Sequence, residues 1–180
     1  MEKEISNAIE VLKKGGILLY PTDTIWGLGC DATNKQAINK IYKIKQRAES
    51  KALISLVSDK KMLNRYTNHL PKTDITSSPT TVIYQNVEGL PKNLLARDNT
   101  AALRIVQDDF CKKLIEQFGK GIVSTSANIS GELSPKQFSE ISTYIKQNAD
   151  YIVNLRQEER MEFPSSIIKI NENGTITTIR

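Results

Sequence analysis

Six short, largely apolar runs punctuate this chain: ILLY at 17–20, ALISLV at 52–57, TTVIYQ at 80–85, AALRIV at 101–106, GIVST at 121–125 and YIVNL at 151–155. Runs this short, rich in Ile, Val and Thr, read as buried or half-buried strands. Stretches of helical periodicity lie between many of them. Residues 2–14 bring Ile5, Ala8, Ile9 and Leu12 to one helical face, and Gly15-Gly16 suits a left-handed helix end. Asn34 to about Arg47 predicts a second helix, with Ile38, Ile41, Tyr42 and Lys45 on neighbouring turns. Asp59 can cap a helix over DKKMLNRYT. Asp108 to Phe118 predicts another, stopped by Gly119, and Pro135 begins one running to about Asn148. The chain closes on IIKIN-ENG-TITTI, a hairpin with Asn173-Gly174 at its turn. Residues 22–33 and 70–80 read as loops. Strand-helix alternation of this kind predicts an α/β (α+β) domain with a mixed β-sheet flanked by helices. No composition break, repeat or low-complexity stretch divides it, so residues 1–180 are expected to form a single domain.

Composition narrows the function classes. Hydrophobic residues make up 39% and charged residues 25% of the 180, as a packed globular chain requires. No run approaches the roughly 18 apolar residues of a membrane span. The stretch MEKEISNAIEVLKK is acidic and amphipathic and lacks the apolar centre of a signal peptide. The expectation is a cytoplasmic protein with no membrane association. Two cysteines, Cys30 and Cys111, suit neither a disulfide framework nor a cysteine-rich metal site. A single histidine, His69, excludes multi-histidine metal centres, and its polar surroundings suggest a surface position. The net charge of +5 permits an anionic ligand without demanding one.

Five segments could carry chemistry. Ser124-Thr125-Ser126-Ala127-Asn128 leaves an expected strand end, where α/β sheets bind ligands. Its hydroxyls and backbone N–H groups suit either an anion site or an elaborate self-bonded turn. Tyr20-Pro21-Thr22-Asp23-Thr24-Ile25-Trp26-Gly27-Leu28-Gly29 also leaves a strand, and its glycines allow close backbone approach. It reads equally as a structural loop with Trp26 in the core. No Gly-Lys-Ser/Thr follows, so it is not a P-loop. Lys43-Ile44-Lys45-Gln46-Arg47, followed by Lys51, is either a phosphate clamp or a cationic helix end favoured by the dipole. Arg104 lies amid apolar neighbours and needs a partner, a wet cleft or an edge strand facing solvent. Pro164-Ser165-Ser166 brings two hydroxyls into a strand.

In order along the chain, YPTDTIWGLGCDA at 20–32, IYKIKQR at 41–47, LRIV at 103–106, VSTSANISG at 123–131, PSSII at 164–168 and the final TTIR resemble the YrdC-like family, the threonylcarbamoyl-AMP synthases. The length resembles the short bacterial form. The resemblance implies a twisted mixed sheet enclosing a deep, positively charged cavity. It implies a transferase of the nucleotidyltransferase type that joins L-threonine, bicarbonate and ATP into threonylcarbamoyl-AMP and pyrophosphate, for tRNA modification. Magnesium would arrive with ATP, with no protein metal ligand. A transferase partner would carry the adenylate to tRNA, and direct tRNA contact is left open. By the same resemblance, Lys45 and Arg47 would be catalytic, facing the phosphates and the carbamate. ATP would also meet Lys51, Ser126, Asn128, Ser134 and Arg180. Threonine would be held by Thr22, Thr24, Arg104, Ser124 and one of Ser165 and Ser166.

The chain departs from the family pattern at Ala48 and Ala52, where prolines are usual, and at Leu56, where a histidine often stands. It departs also at Ser77-Ser78-Pro79, in place of Pro-Gly-Pro, and from Val106 through Gln107 to Asp109, where proline and a His-Pro pair are usual. These changes bear on contacts behind the phosphate and threonine clamps. The rival expectations are an RNA-binding module, a divergent nucleotide-binding relative without turnover, and the related domain of hydrogenase maturation proteins. No compact basic stripe or aromatic stacking platform favours the first.

Overall fold

Nine strands and five α-helices form among the described residues of the computed structural model, which are 1–47, 53–71 and 73–180. Helix α1 (Glu2–Lys13) buries Ile5, Ala8 and Leu12, as its spacing requires. Its end is closed by paired bonds, Gly15 N–H to Leu12 O at 3.0 Å and Gly16 N–H to Val11 O at 2.9 Å, with Gly15 at φ 70°. That geometry is a Schellman turn, for which the left-handed residue is best a glycine. Strand β1 (Leu18–Tyr20) follows at once.

The expected loop 22–33 holds a strand, β2 (Gly27–Gly29), paired antiparallel to β1 and to β6 (Ile122–Ser126). Two glycines hide it from propensity, but the approach of its neighbours demands the second, Gly29. A Cβ on Gly29 would lie 2.4 Å from Val123 O. Helix α2 (Lys35–Ile44) starts at Asn34, whose side chain accepts the N–H groups of Gln36 and Ala37. β3 (Ile54–Val57) leads to a helix α3 of one turn (Lys60–Leu63) capped by Asp59, shorter than the expected run to Thr67. β4 (Thr80–Tyr84), β5 (Ala101–Ile105) and α4 (Asp109–Phe118) fall where the pattern placed them, with Gly119 in the left-handed region at φ 80°. The helix expected from Pro135 does not form. Ile141 is extended, and a fresh cap at Ser142 starts the short α5 (Thr143–Gln147). β7 (Tyr151–Ile152), β8 (Ser166–Ile170) and β9 (Ile176–Thr178) complete the sheet, the last two as the expected hairpin.

The strands order as β7-β1-β2-β6-β3-β5-β4-β8-β9, with parallel pairs β1–β7, β3–β5 and β4–β8 and the rest antiparallel. Mixed pairing of this kind bears out the expected mixed α/β sheet. Register then sorts the side chains. Ile54 lies opposite Ser124 and Ala102, Ala102 opposite Ile83, and Thr81 opposite both Arg104 and Ile167. These residues therefore share one face, since strand side chains alternate with a period of two. Leu19, Leu28 and Val123 point the other way and pack with Ile38 and Ile41 of α2. α2 thus backs the sheet and leaves the opposite face of β6, β3, β5, β4 and β8 to form a cavity wall. Cys30 and Cys111 are buried free thiols, and burial pushes both up out of the range where a thiolate forms near neutrality.

Candidate functional site

A cavity of about 340 Å³ opens on that shared face. Its floor is Gly27, Ile54, Ile83, Ala102 and Ile167, and its rim carries Thr24, Ser124, Ser126, Ser134, Ser165, Arg47, Arg104 and Arg180. Three guanidinium groups line it and no carboxylate does, among the described residues. The volume suits a small molecule, which such sites hold on an apolar floor with a few placed polar groups.

Each polar residue reaches the cavity for a local reason. Thr22 is 1% exposed and organises the loop after β1. Its hydroxyl donates to Ile25 O at 2.8 Å and accepts the N–H groups of Thr24 and Ile25. That leaves Thr24 as the donor in the 3.0 Å contact between the two hydroxyls. Thr24 Oγ1 in turn accepts from Arg104 Nη1 at 3.1 Å. A buried relay thus runs from Arg104 through Thr24 to Thr22, each bond polarising the next. Asp23 supplies the countercharge that Arg104 needs, with Oδ1 at 3.0 Å from Nη2 but off the direction of a hydrogen bond. Asp23 Oδ2 takes the N–H of Gln107 at 3.2 Å. Arg104 Nε is buried without a hydrogen-bond partner among the described residues. A guanidinium that lines a cavity is suited to bind a carboxylate.

Opposite lies the end of α2. Gln46 sits in the left-handed region at φ 49°, and Gln46 N–H and Arg47 N–H return to Lys43 O and Tyr42 O. This is a second Schellman turn, built without glycine, and it sends consecutive cations to different places. Arg47 lines the cavity, half-buried, and burial lowers its proton affinity. Lys45 lies beneath the wall at 1% exposure, with its ammonium donating to Ser126 O at 2.5 Å and Asn128 O at 2.6 Å. Burial and the nearby Arg47 charge pull it from 10.5 down to about 8. Asn128 also turns inward, its amide donating to Glu132 O at 2.7 Å.

At the far side, Ser165 Oγ meets Thr81 Oγ1 at 2.8 Å, and Arg180 reaches back to Ser165 O at 3.1 Å. Ser165 lines the cavity, while Ser166 is exposed and faces Pro79 and Thr80, which separates two serines the sequence left equivalent. The cavity wall therefore gathers Arg47, Ser126, Ser134, Arg180, Thr24, Arg104, Ser124 and Ser165. Thr22, Lys45 and Asn128 support it from behind, Ser166 lies away from it, and Lys51, Ala48 and Ala52 fall outside the described residues.

Three supporting residues were not anticipated. Asp23, within a stretch already singled out, is the partner that Arg104 needed. Thr81 sits in an ordinary strand and carries no signal. Arg156, at φ 55°, donates to Thr22 O at 3.1 Å and pairs with Asp108 and Glu159, so it ties the β1–β2 loop to the segment before β8. Two departures from the family pattern also find their place. Leu56 is fully buried in the core, and Val106 N–H donates to Val57 O at 3.0 Å, a bond that proline could not make.

Fold and cavity define an α/β protein with an arginine- and hydroxyl-lined cavity over the open face of a mixed sheet. The model of the Sua5, YciO and YrdC proteins, described as "Telomere recombination", matches residues 10–180. The chain belongs to that family. It is 34% identical over 161 residues to a threonylcarbamoyl-AMP synthase of Pseudoalteromonas translucida, covering 85% of this chain and 86% of the relative. A putative threonylcarbamoyl-AMP synthase of Methanocaldococcus jannaschii is 32% identical over 185 residues, covering 98% of this chain and 86% of that one. Among solved structures, Sua5 of P. abyssi complexed with L-threonine superposes with a TM-score of 0.85 at 23% identity. All of this chain is covered there, but only 54% of the Sua5 chain. YciO of E. coli superposes with a TM-score of 0.80 at 23% identity, covering 100% of this chain and 89% of that one. These likenesses bear out the family resemblance and the fold. No helix among the described residues is long and apolar enough to cross a membrane.

Proposed function

We propose that this chain is an L-threonylcarbamoyladenylate synthase, a nucleotidyltransferase that forms threonylcarbamoyl-AMP and pyrophosphate from L-threonine, bicarbonate and ATP. The observation that carries the reading is one cavity that brings Arg104 to one side and Arg47 and Arg180 to others, with hydroxyls between and no Asp or Glu side chain on the wall among the described residues. The names of the relatives point the same way. Arg104 and Thr24 hold threonine, the guanidinium taking its carboxylate, with Ser124 and Ser165 bordering it. Ser126, Ser134 and Arg180 hold ATP, together with Lys51. Arg47 faces the phosphates and the carbamate, and Lys45 adds its charge from beneath the wall.

Threonine's amine attacks bicarbonate, and loss of water leaves a carbamate. A carbamate oxygen then bonds to the α-phosphorus as the bond to pyrophosphate breaks. Neither step needs a strong base from the protein once the reactants are aligned. Positioning and neutralisation of the spreading negative charge supply the acceleration. Magnesium enters on the triphosphate, since the wall offers hydroxyls and no Asp or Glu side chain to fix it among the described residues. The product is then handed to a tRNA-modifying transferase, in the cytoplasm.

Pyrophosphate release from ATP and bicarbonate, measured with and without L-threonine, tests the reading. Threonine-dependent release is expected. Binding of ATP with no release at any threonine concentration would refute it.

A further inference from the structure

Lys45 is a buried cation with an unusual set of neighbours. Its ammonium is surrounded by carbonyl oxygens and has no carboxylate partner among the described residues: Ser126 O at 2.5 Å, Asn128 O at 2.6 Å and the Asn128 side-chain oxygen at 3.4 Å. The contact is returned at the backbone, where Ser130 N–H donates to Lys45 O at 2.8 Å. The helix end and the turn after β6 are thus stitched together in both directions. Burying a lysine among neutral acceptors is costly, and a methionine would fill the same space without that cost.

We infer that Lys45 is a positioning residue, whose ammonium gathers two carbonyl oxygens of the turn after β6 and keeps them away from the cavity, so that this strand end presents hydroxyls to an anion. A turn beside a polyanion cannot leave carbonyl oxygens facing it, because their partial negative charge repels phosphate and carbamate alike. The turn at 126–130 solves this by turning Ser126 O and Asn128 O down to Lys45 while Ser124 and Ser126 remain on the wall. The left-handed Gln46 makes the division workable, since Lys45 goes beneath and Arg47 goes into the cavity. Among the described residues, the charged groups that act on the ammonium are Arg47, which disfavours its proton, and Glu132, which favours it. The anion's identity rests on the synthase reading; the inference about the turn does not.

Lys45→Met separates positioning from direct phosphate contact. L-threonine binding is measured by calorimetry without ATP, where a phosphate contact could not matter. The dissociation constant is expected to rise at least about fivefold, because Ser124 and Ser126 lose their support. In the same folded variant, hydrogen-exchange protection at the Asn128 and Ser130 amides is expected to fall at least about tenfold, with α4 and β5 unchanged. Unchanged protection at those two amides would overturn the inference. Absence of threonine binding in the unsubstituted protein would sink the synthase reading and leave the exchange result to decide the role of Lys45. Should Lys45→Met fail to fold, the unsubstituted protein still decides. The Lys45 side-chain resonances are expected to titrate near 8, whereas a midpoint near 10.5, that of a solvent-facing lysine, would contradict the buried geometry.

Discussion

In the proposed function Arg47 and Arg104 divide the work of the cavity, and their substitutions separate it. Loss of a charge-assisted contact at a desolvated site costs roughly 1.5–3 kcal/mol, or about tenfold or more in rate. Arg47→Ala is therefore expected to lower threonine-dependent pyrophosphate release at least tenfold, with L-threonine binding in the absence of ATP little changed. Arg104→Ala is expected to do the reverse, weakening threonine first. Equal effects of both variants on threonine binding would argue against the division. Gln46 offers a test of structure alone. It is exposed and holds a conformation that costs an L-residue about 1 kcal/mol. Gln46→Gly is expected to raise the unfolding free energy by an amount of that order, read from urea unfolding, without altering α2.

Among the elements, α2 and the β1–β2 loop decide the site's shape. Asn34 accepts two N–H groups at the start of α2, so Asn34→Ala is expected to destabilise the protein by about 1 kcal/mol, read from urea unfolding. Much of this level was legible from the chain. Caps at Asn34, Asp59, Asp108 and Gly119 and the final hairpin leave local signatures, because one residue and its near neighbours satisfy them. β2 left none. Gly29 is set by how closely Val123 and Tyr20 approach, a tertiary fact with no local trace. The expected helix from Pro135 failed for a related reason. Proline at a helix start is permissive, and the cap at Ser142 takes the segment instead. The family resemblance pointed to these polar residues but could not tell a wall from its support. Thr22, Thr24, Lys45 and Arg47 lie in two short stretches, and only the folded loop sends Thr24 and Arg47 into the cavity and Thr22 and Lys45 behind it.

Across the whole molecule, Lys45 ties stability to pH. Its proton is held to 10.5 in the unfolded chain and to about 8 in the folded one, so the unfolded state binds more protons between those values. Folding stability therefore rises with pH in that window. The buried thiols act the opposite way at high pH, since burial raises them, but they are shared with any variant. The difference in unfolding free energy between the unsubstituted protein and Lys45→Met isolates the lysine. It is expected to move in favour of the unsubstituted protein by up to about 3 kcal/mol from pH 7 to 10.5. A flat difference would show that the ammonium is solvated.

The sheet's purpose in this account is to bring threonine and ATP into one cavity and join them through bicarbonate. The identity of the product tests that most directly. Incubation with ¹³C-bicarbonate, L-threonine and ATP, followed by mass spectrometry, is expected to yield a labelled threonylcarbamoyl-AMP in step with pyrophosphate. Consumption of ATP with no labelled conjugate would contradict the account.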